Sequence, residues 1–275
     1  MIVQSSSSTL PHTLRTNRFA VVDVTPQAWE DILEMHEAIS TFFRTCPLPV
    51  KLCTQYGDGI GYIAHPRGIF EEYIVKLPSL NYGSPFPWPI SPQTFEADVR
   101  KGFKALHTIG CEILAQLGVG NNAADCLNDL VGPYSDSVMF CRHYLTLQPE
   151  QWGGPRGGPG HMEAHTDTGL LTLMPALEVR GLQVLNEGGE WVHADAGIME
   201  GHRAVIVMVG EALAGATNNA LHAAVHRVDK SVTCPKITRL TTPFQLRGGL
   251  SALDAPIPAA SEGRTTRCQM KVLAF

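Results

Sequence analysis

The chain has 275 residues, of which 44% are hydrophobic and 17% are charged, and this composition is typical of a globular protein. The net charge of −5 without a basic cluster argues against a nucleic-acid partner, and the longest apolar runs are too short to cross a membrane. Seven cysteines without metal-type spacing indicate reduced thiols, so we expect a cytoplasmic protein.

The N-terminal part predicts a strand followed by a helix. Residues 19–24 form a short β-type run, and Thr25 and Pro26 then resemble a helix cap followed by proline at the first helical position. Apolar residues between 29 and 43 have the spacing of an amphipathic helix. The prolines of segment 46–49 should end this helix.

A second long helix is predicted further along the chain. Ser91 and Pro92 are expected to cap it, and its apolar residues between 95 and 117 recur at steps of three and four. Gly118 suits its C-terminal end. A helix this apolar on one face should pack along the outside of a sheet. Residues 123–131 predict a further short helix.

From Ser137 onward the sequence changes to β character. Residues 186–189 predict a hairpin turn between two of the strands. Many short strands with glycine turns indicate a double-sheet jelly roll. The predicted strands cover residues 138–147, 169–174, 182–185, 191–193, 204–209 and 238–246.

His165 and Asp167 are the first candidate metal ligands. In an extended segment, side chains at i and i+2 point to the same side, so the imidazole and the carboxylate would converge. They would supply two members of a 2-His-1-carboxylate triad, which leaves positions open on Fe(II). His161 and Glu163 have the same parity, and His193 with Asp195 repeats the spacing, so the pattern alone does not choose among them.

The sequence downstream distinguishes these candidates. His226 is followed by Arg-Val, and Arg239-Leu240-Thr241 opens a strand-like run. Together with the Gly-Leu-Leu-Thr-Leu run after Asp167, this order resembles the isopenicillin-N-synthase-like, or plant-type, branch of the 2-oxoglutarate/Fe(II) dioxygenases. The resemblance is specific from about residue 144 to residue 247.

The resemblance implies a double-stranded β-helix core buttressed by N-terminal helices. From the length of the chain we expect one catalytic domain over residues 1–275, with a strand and helical part at 1–134, the core at 135–250 and a C-terminal tail at 251–275. Fe(II) would be bound by His165, Asp167 and His226. His222 competes with His226, and the Arg-Val after His226 favours the latter.

The resemblance also implies a 2-oxoglutarate site. Arg239 and Thr241 lie at i and i+2 of one strand, so both can hold the same carboxylate, whereas Arg247 lies too far along. Tyr144 matches the tyrosine of the family's Asn-x-Tyr. Arg142 replaces the asparagine, which raises the hypothesis that Arg142 faces an acidic substrate. The Gly/Pro-rich segment 148–160 is interpreted as a lid or a disordered loop.

The expected reaction is therefore oxidation of an unactivated C–H of a small organic metabolite. O2 and 2-oxoglutarate would be consumed, and succinate and CO2 would be released. The protein is expected to be a monomer. Hydroxylation is the default, and desaturation or ring chemistry are variants. The alternatives are an Fe(II) oxidase of the same fold that does not use 2-oxoglutarate, a non-catalytic binding module, and a zinc hydrolase, in which Arg239 and Thr241 would have no purpose.

Overall fold

The computed structural model describes residues 2–3, 10–56, 59–64, 70–76, 86, 88–119, 136–144, 163–177, 181–198, 201–228 and 239–248. Over these ranges the chain forms helices and two antiparallel β-sheets, so the expected mainly β class with flanking helices is confirmed. In the same ranges, no helix is long and apolar enough to span a membrane.

The N-terminal elements follow the prediction closely. The Thr25 hydroxyl accepts a hydrogen bond from the Ala28 amide at 3.4 Å, and Pro26 is the first residue of the long helix. That helix ends at Thr45, just before the proline-containing segment. The elements are β1 (Ile2–Val3), α1 (Leu10–Asn17), β2 (Phe19–Val24), α2 (Pro26–Thr45) and α3 (Leu48–Leu52).

The second long helix begins later than predicted. Ser91 does not cap it, because residues 92–95 form a turn closed by the Phe95 amide on the Pro92 carbonyl at 3.0 Å. Gly118 has a φ of 74° directly after the helix, as a C-terminal glycine should. The predicted helix 123–131 lies outside the described residues. The elements are β3 (Gln55–Tyr56), β4 (Ile60–Ala64), β5 (Phe70–Lys76) and α4 (Phe95–Gln116).

The C-terminal half supplies most of the remaining strands. The turn at 186–189 lies where it was predicted, with the Gly189 amide on the Asn186 carbonyl at 3.1 Å. The predicted strand 238–246 is two strands, because Pro243 has no amide hydrogen and interrupts the pairing. The elements are β6 (Val138–Tyr144), β7 (Leu171–Pro175), β8 (Leu182–Leu185), β9 (Trp191–His193), β10 (Ala204–Val209), α5 (Glu211–Ala216), β11 (His226–Val228), β12 (Arg239–Thr241) and β13 (Phe244–Leu246).

The two sheets differ in size. The larger has the order β1-β2-β10-β7-β13-β6-β5-β4-β3, with β12 also paired to β6, and the smaller has the order β11-β8-β9. Helices α2 and α4 pack together on the outer face of the larger sheet, as predicted for α4. Phe103 of α4 meets Phe244 of β13 edge-on, with ring centroids 4.8 Å apart.

Strand β6 separates the hydrophobic core from a cavity. Met139 and Cys141 are fully buried in the core beneath the helices. Alternate residues Phe140, Arg142 and Tyr144 line an open cavity of about 420 Å³ on the other face. This alternation is the pleat of a β-strand, and it assigns the chemically active side chains of β6 to one side.

Candidate metal and cosubstrate site

The structure brings His165, Asp167 and His226 together in this cavity. One ligand atom from each lies within 4.8 Å of the others. His165 Nε2 is 3.7 Å from Asp167 Oδ1, and His226 Nε2 is 3.6 Å from Asp167 Oδ2. Two imidazole nitrogens and a carboxylate at these separations fit the facial donor set that binds Fe(II). The competing His222 is exposed, and His161 lies outside the described residues.

An antiparallel bridge sets the histidines side by side. The His165 amide donates to the His226 carbonyl at 3.1 Å, and the His226 amide donates to the His165 carbonyl at 2.9 Å. The two imidazole centroids are consequently 4.3 Å apart. Because β11 also pairs with β8, the smaller sheet holds the distal histidine against the His165 segment.

Backbone carbonyls fix the orientation of both imidazoles. His165 Nδ1 is 2.8 Å from the Glu163 carbonyl, and His226 Nδ1 is 3.0 Å from the Ala224 carbonyl. Each Nδ1 therefore carries the hydrogen, and each Nε2 lone pair is directed toward Asp167. Burial lowers the pKa of His226, although the Asp167 charge opposes that shift. A lowered pKa keeps the imidazole neutral, as a metal ligand must be.

Two neighbouring side chains hold the Asp167 carboxylate. Thr172 Oγ1 donates to Oδ2 at 2.6 Å, and Gln245 Nε2 donates to Oδ1 at 2.7 Å. The Gln245 oxygen accepts from Arg247 Nη2 at 2.6 Å and Nε at 3.2 Å, so Arg247 fixes which end of the amide faces Asp167. Sequence reasoning missed these contacts. The available signal was a glutamine between Phe244 and Leu246 in an otherwise apolar strand.

Helix α5 holds the backbone of the same segment. The Glu211 amide donates to the Asp167 carbonyl at 2.8 Å, and the Ala212 amide donates to the Gly169 carbonyl at 3.1 Å. This approach requires glycine at position 210, because a Cβ there would lie 2.1 Å from the Gly169 carbonyl oxygen. The first turn of α5 thus fixes the backbone next to the carboxylate.

Arg239 is a buried cation beside the triad. It is 3% exposed, and its Nε has no hydrogen-bond partner. Its guanidinium lies 5.4 Å from the ring centroid of Tyr144, the residue opposite it on β6, and Thr241 lines the same cavity. Burial lowers the Arg239 pKa, while Tyr144 and Asp195 act in the opposite direction. Within the described ranges Arg239 forms no ion pair, so an anionic ligand such as 2-oxoglutarate fits this position.

The second His-x-Asp triplet has a different environment. His193 Nδ1 and Asp195 Oδ1 are 4.0 Å apart, and Asp195 Oδ2 accepts from the Gly181 amide at 2.7 Å and the Leu182 amide at 3.4 Å. Ala194 is 1% and Asp195 7% exposed, whereas Ala196 and Gly197 in the same turn are exposed. Two backbone amides draw the Asp195 carboxylate inward, where it lines a smaller cavity with Arg239.

Comparison with known sequences finds similarity over the part of the chain that contains this site. Residues 135–248 match the family model of the 2OG-Fe(II) oxygenase superfamily. The chain is 29% identical over 206 residues to gibberellin 2-beta-dioxygenase 1 of Oryza sativa, covering 64% of this chain and 52% of that protein. It is 26% identical over 189 residues to the 2-oxoglutarate-Fe(II) type oxidoreductase hxnY of Emericella nidulans, covering 67% and 51%. The chain spans about half the length of these curated relatives.

Solved structures share the fold. A full-length Neurospora crassa protein in complex with alpha-KG and thymine aligns with a TM-score of 0.73 at 21% identity, covering 88% of this chain and 80% of that one. The dioxygenase for auxin oxidation from rice aligns with a TM-score of 0.65 at 20% identity, covering 89% and 78%. The expected double-stranded β-helix core is confirmed by these structures. Residues 135–248, the part of the chain that contains the site, are therefore similar to the 2OG-Fe(II) oxygenase superfamily.

Proposed function

We propose that this protein is an Fe(II)- and 2-oxoglutarate-dependent oxygenase that oxidises an unactivated C–H of a small organic metabolite. The observation that carries the proposal is the convergence of His165, Asp167 and His226 in the cavity that also contains the buried Arg239. Neither the triad nor Arg239 alone would support this function, because a triad without the arginine fits other metal chemistry. A buried arginine without the triad fits simple anion binding.

Each residue has a proposed role. His165, Asp167 and His226 hold the metal, and Thr172 with Gln245 keeps the Asp167 carboxylate in place. Arg239 binds the distal carboxylate of 2-oxoglutarate through charge-assisted hydrogen bonds, with Thr241 beside it. Tyr144 packs against the Arg239 guanidinium and orients it. When bound, Fe(II) and 2-oxoglutarate with O2 supply the oxidising chemistry, with release of succinate and CO2.

The runner-up is an Fe(II) oxidase of the same fold that does not use 2-oxoglutarate. Arg239 argues against it, because a buried guanidinium without an ion-pair partner among the described residues is costly unless a ligand supplies the counter-charge. A non-catalytic binding module would not require three converging ligands. The hydrogen bonds that orient both imidazoles argue against it as well.

We also propose that the protein is a cytoplasmic monomer with a single catalytic domain over residues 1–275, and that neither nucleic acid nor membrane is a partner. The net charge of −5 supports the absence of a nucleic-acid partner. Cys46, Cys53, Cys111 and Cys141 carry free thiols in the described part, which is compatible with a reducing compartment. A small metabolite from secondary metabolism is the proposed substrate class.

The test is succinate formation from 2-oxoglutarate with Fe(II), O2 and a metabolite panel, comparing wild type with Arg239→Ala. Losing one charge-assisted contact, worth about 1.5–3 kcal/mol, should raise the KM for 2-oxoglutarate by roughly tenfold to a hundredfold. Arg227→Ala is the matched control, because Arg227 pairs with Gln183 and Trp191 away from the cavity. An unchanged 2-oxoglutarate dependence in Arg239→Ala would favour the runner-up. No succinate from wild type would contradict the proposal.

A further inference from the structure

Arg142 is a second cation in the catalytic cavity. It lies between Phe140 and Tyr144 on the cavity face of β6, and the same cavity is lined by the three candidate metal ligands. The side chains of Arg44 and Arg100 are 57% and 41% exposed, whereas the Arg142 side chain is only 17% exposed. An arginine this enclosed, beside the expected reaction centre, requires an explanation.

The contacts of Arg142 leave part of its guanidinium available. Its Nε donates to Glu72 Oε1 at 2.5 Å, and its guanidinium carbon lies 4.9 Å from the Phe140 ring centroid. Neither terminal nitrogen hydrogen-bonds to any residue in the described ranges, and neither is among the fully buried unpaired atoms. The hydrogens of the two Nη groups are therefore accepted by no residue in the part of the chain that the structure describes.

Glu72 orients the arginine from behind. It lies opposite Arg142 on the neighbouring strand β5, it is 12% exposed, and it does not line the cavity. A carboxylate on Nε and an aromatic ring on one face restrict the guanidinium to a single plane. The remaining Nη groups then present the planar fork that matches a carboxylate or another oxyanion.

The position of Arg142 separates it from the proposed cosubstrate site. Across β6 and β12, Arg239 lies opposite Tyr144, whereas Arg142 lies opposite Thr241. The two arginines are therefore offset by two residues along the strands, roughly 6.6 Å at the usual rise. With Arg239 assigned to 2-oxoglutarate, Arg142 is available for a different anionic group.

We propose that Arg142, oriented by Glu72, binds an anionic group of the substrate that is oxidised, so that the substrate class is an organic acid. This inference rests on the proposed function. It predicts that the enzyme discriminates a carboxylate from the corresponding uncharged amide, because a neutral amide cannot replace the charge that the Arg142 fork requires.

Equilibrium binding tests this without turnover. The full chain, saturated with Mn(II) and 2-oxoglutarate without O2, is titrated calorimetrically with phenylacetate, indole-3-acetate and hexanoate and with their primary amides. At least one acid should bind about tenfold or more tightly than its amide in wild type, and Arg142→Gln should abolish that preference. Arg142→Lys should retain part of it, which also separates loss of charge from loss of fold. Arg227→Gln is the control, and it should keep the preference for the acid over the amide.

Four results would overturn the inference. The first three are equal binding of acids and amides, no binding of any acid, and an unchanged preference for the acid in Arg142→Gln. A KM for 2-oxoglutarate raised in Arg142→Gln as much as in Arg239→Ala would also overturn it, because Arg142 would then bind the cosubstrate. Failure of the proposed function is distinguishable. Charge-dependent binding with no succinate formed would reject that function alone, and succinate formation without acid preference would reject this inference alone.

Discussion

Two His-x-Asp triplets with identical spacing have different environments in this molecule. At His165 and Asp167, both aspartate oxygens accept side-chain hydrogen bonds, and a second histidine arrives through the bridge to His226. At His193 and Asp195, one aspartate oxygen is bound to two backbone amides, and no third ligand converges in the described part of the chain. Spacing places two side chains together, but their surroundings determine what they can bind.

We therefore expect the two aspartates to have separate functions. Side chains that orient a carboxylate leave its lone pairs available to a metal, and Thr172 and Gln245 do this for Asp167. A carboxylate that accepts hydrogen bonds from backbone amides instead holds the chain in place, as Asp195 does at the start of β8. Asp195 also lies near Arg239, where its charge raises the arginine pKa against the effect of burial.

The largest effect should come from the backbone behind the first triplet. Gly210→Ala would place a Cβ 2.1 Å from the Gly169 carbonyl oxygen and push α5 away from Asp167. We expect a loss of about 3 kcal/mol in the free energy of unfolding. Gly215→Ala in the same helix is the control, because its Cβ would meet nothing within 4 Å. Urea unfolding measures both, and equal stability of the two variants would contradict the close approach.

A smaller loss is expected at the second triplet. Asp195→Ala removes the acceptor of the buried Gly181 amide, which should cost about 2 kcal/mol of unfolding free energy. Asp23→Ala is the control, because that aspartate is 45% exposed beside His202 and should change stability by less than about 0.5 kcal/mol. Thermal unfolding followed by circular dichroism gives both values. An unchanged stability in Asp195→Ala would contradict a structural role for the Asp195 carboxylate.

The support of Asp167 should have a specific effect on the metal. Gln245→Leu removes the donor at 2.7 Å from Asp167 Oδ1, and Fe(II) affinity should fall on the order of tenfold. Gln183→Leu is the matched control, because that glutamine contacts His193 and Arg227 instead. Anaerobic equilibrium dialysis measures both affinities. Equal Fe(II) affinity in the two variants would show that Gln245 does not position the carboxylate.

Periodicity and turn residues predicted much of the fold. The Thr25 cap, the hairpin turn at 186–189 and most strand positions depend on local sequence, and the structure has them. Ser91 was predicted as a cap and is not one, because a turn at 92–95 precedes the helix. Pro243 divides a run that was predicted as one continuous strand. Both exceptions involve a proline that is visible in the sequence: Pro243 lacks the amide hydrogen that a continuous strand needs, and Pro92 is the first residue of the turn before α4.

The site was also partly predictable from the sequence. The order His165, Asp167, His226 and Arg239 could be recognised in the sequence, and the structure places all four at one cavity. Thr172, Gln245 and Gly210 could not be assigned, because their contacts with the Asp167 segment exist only after β7, β13 and α5 have packed around it. The inward position of Asp195 likewise depends on amides contributed by another strand.

The most direct test compares the two triplets as double variants in anaerobic Fe(II) equilibrium dialysis. His165→Ala with Asp167→Ala should lose Fe(II) binding by about a hundredfold or more, since two of three ligands are gone. His193→Ala with Asp195→Asn should bind Fe(II) within about threefold of wild type, because neither residue belongs to the converging group. Circular dichroism would check that both variants are folded. Loss of Fe(II) from the second variant with retention by the first would contradict the assignment of the metal site.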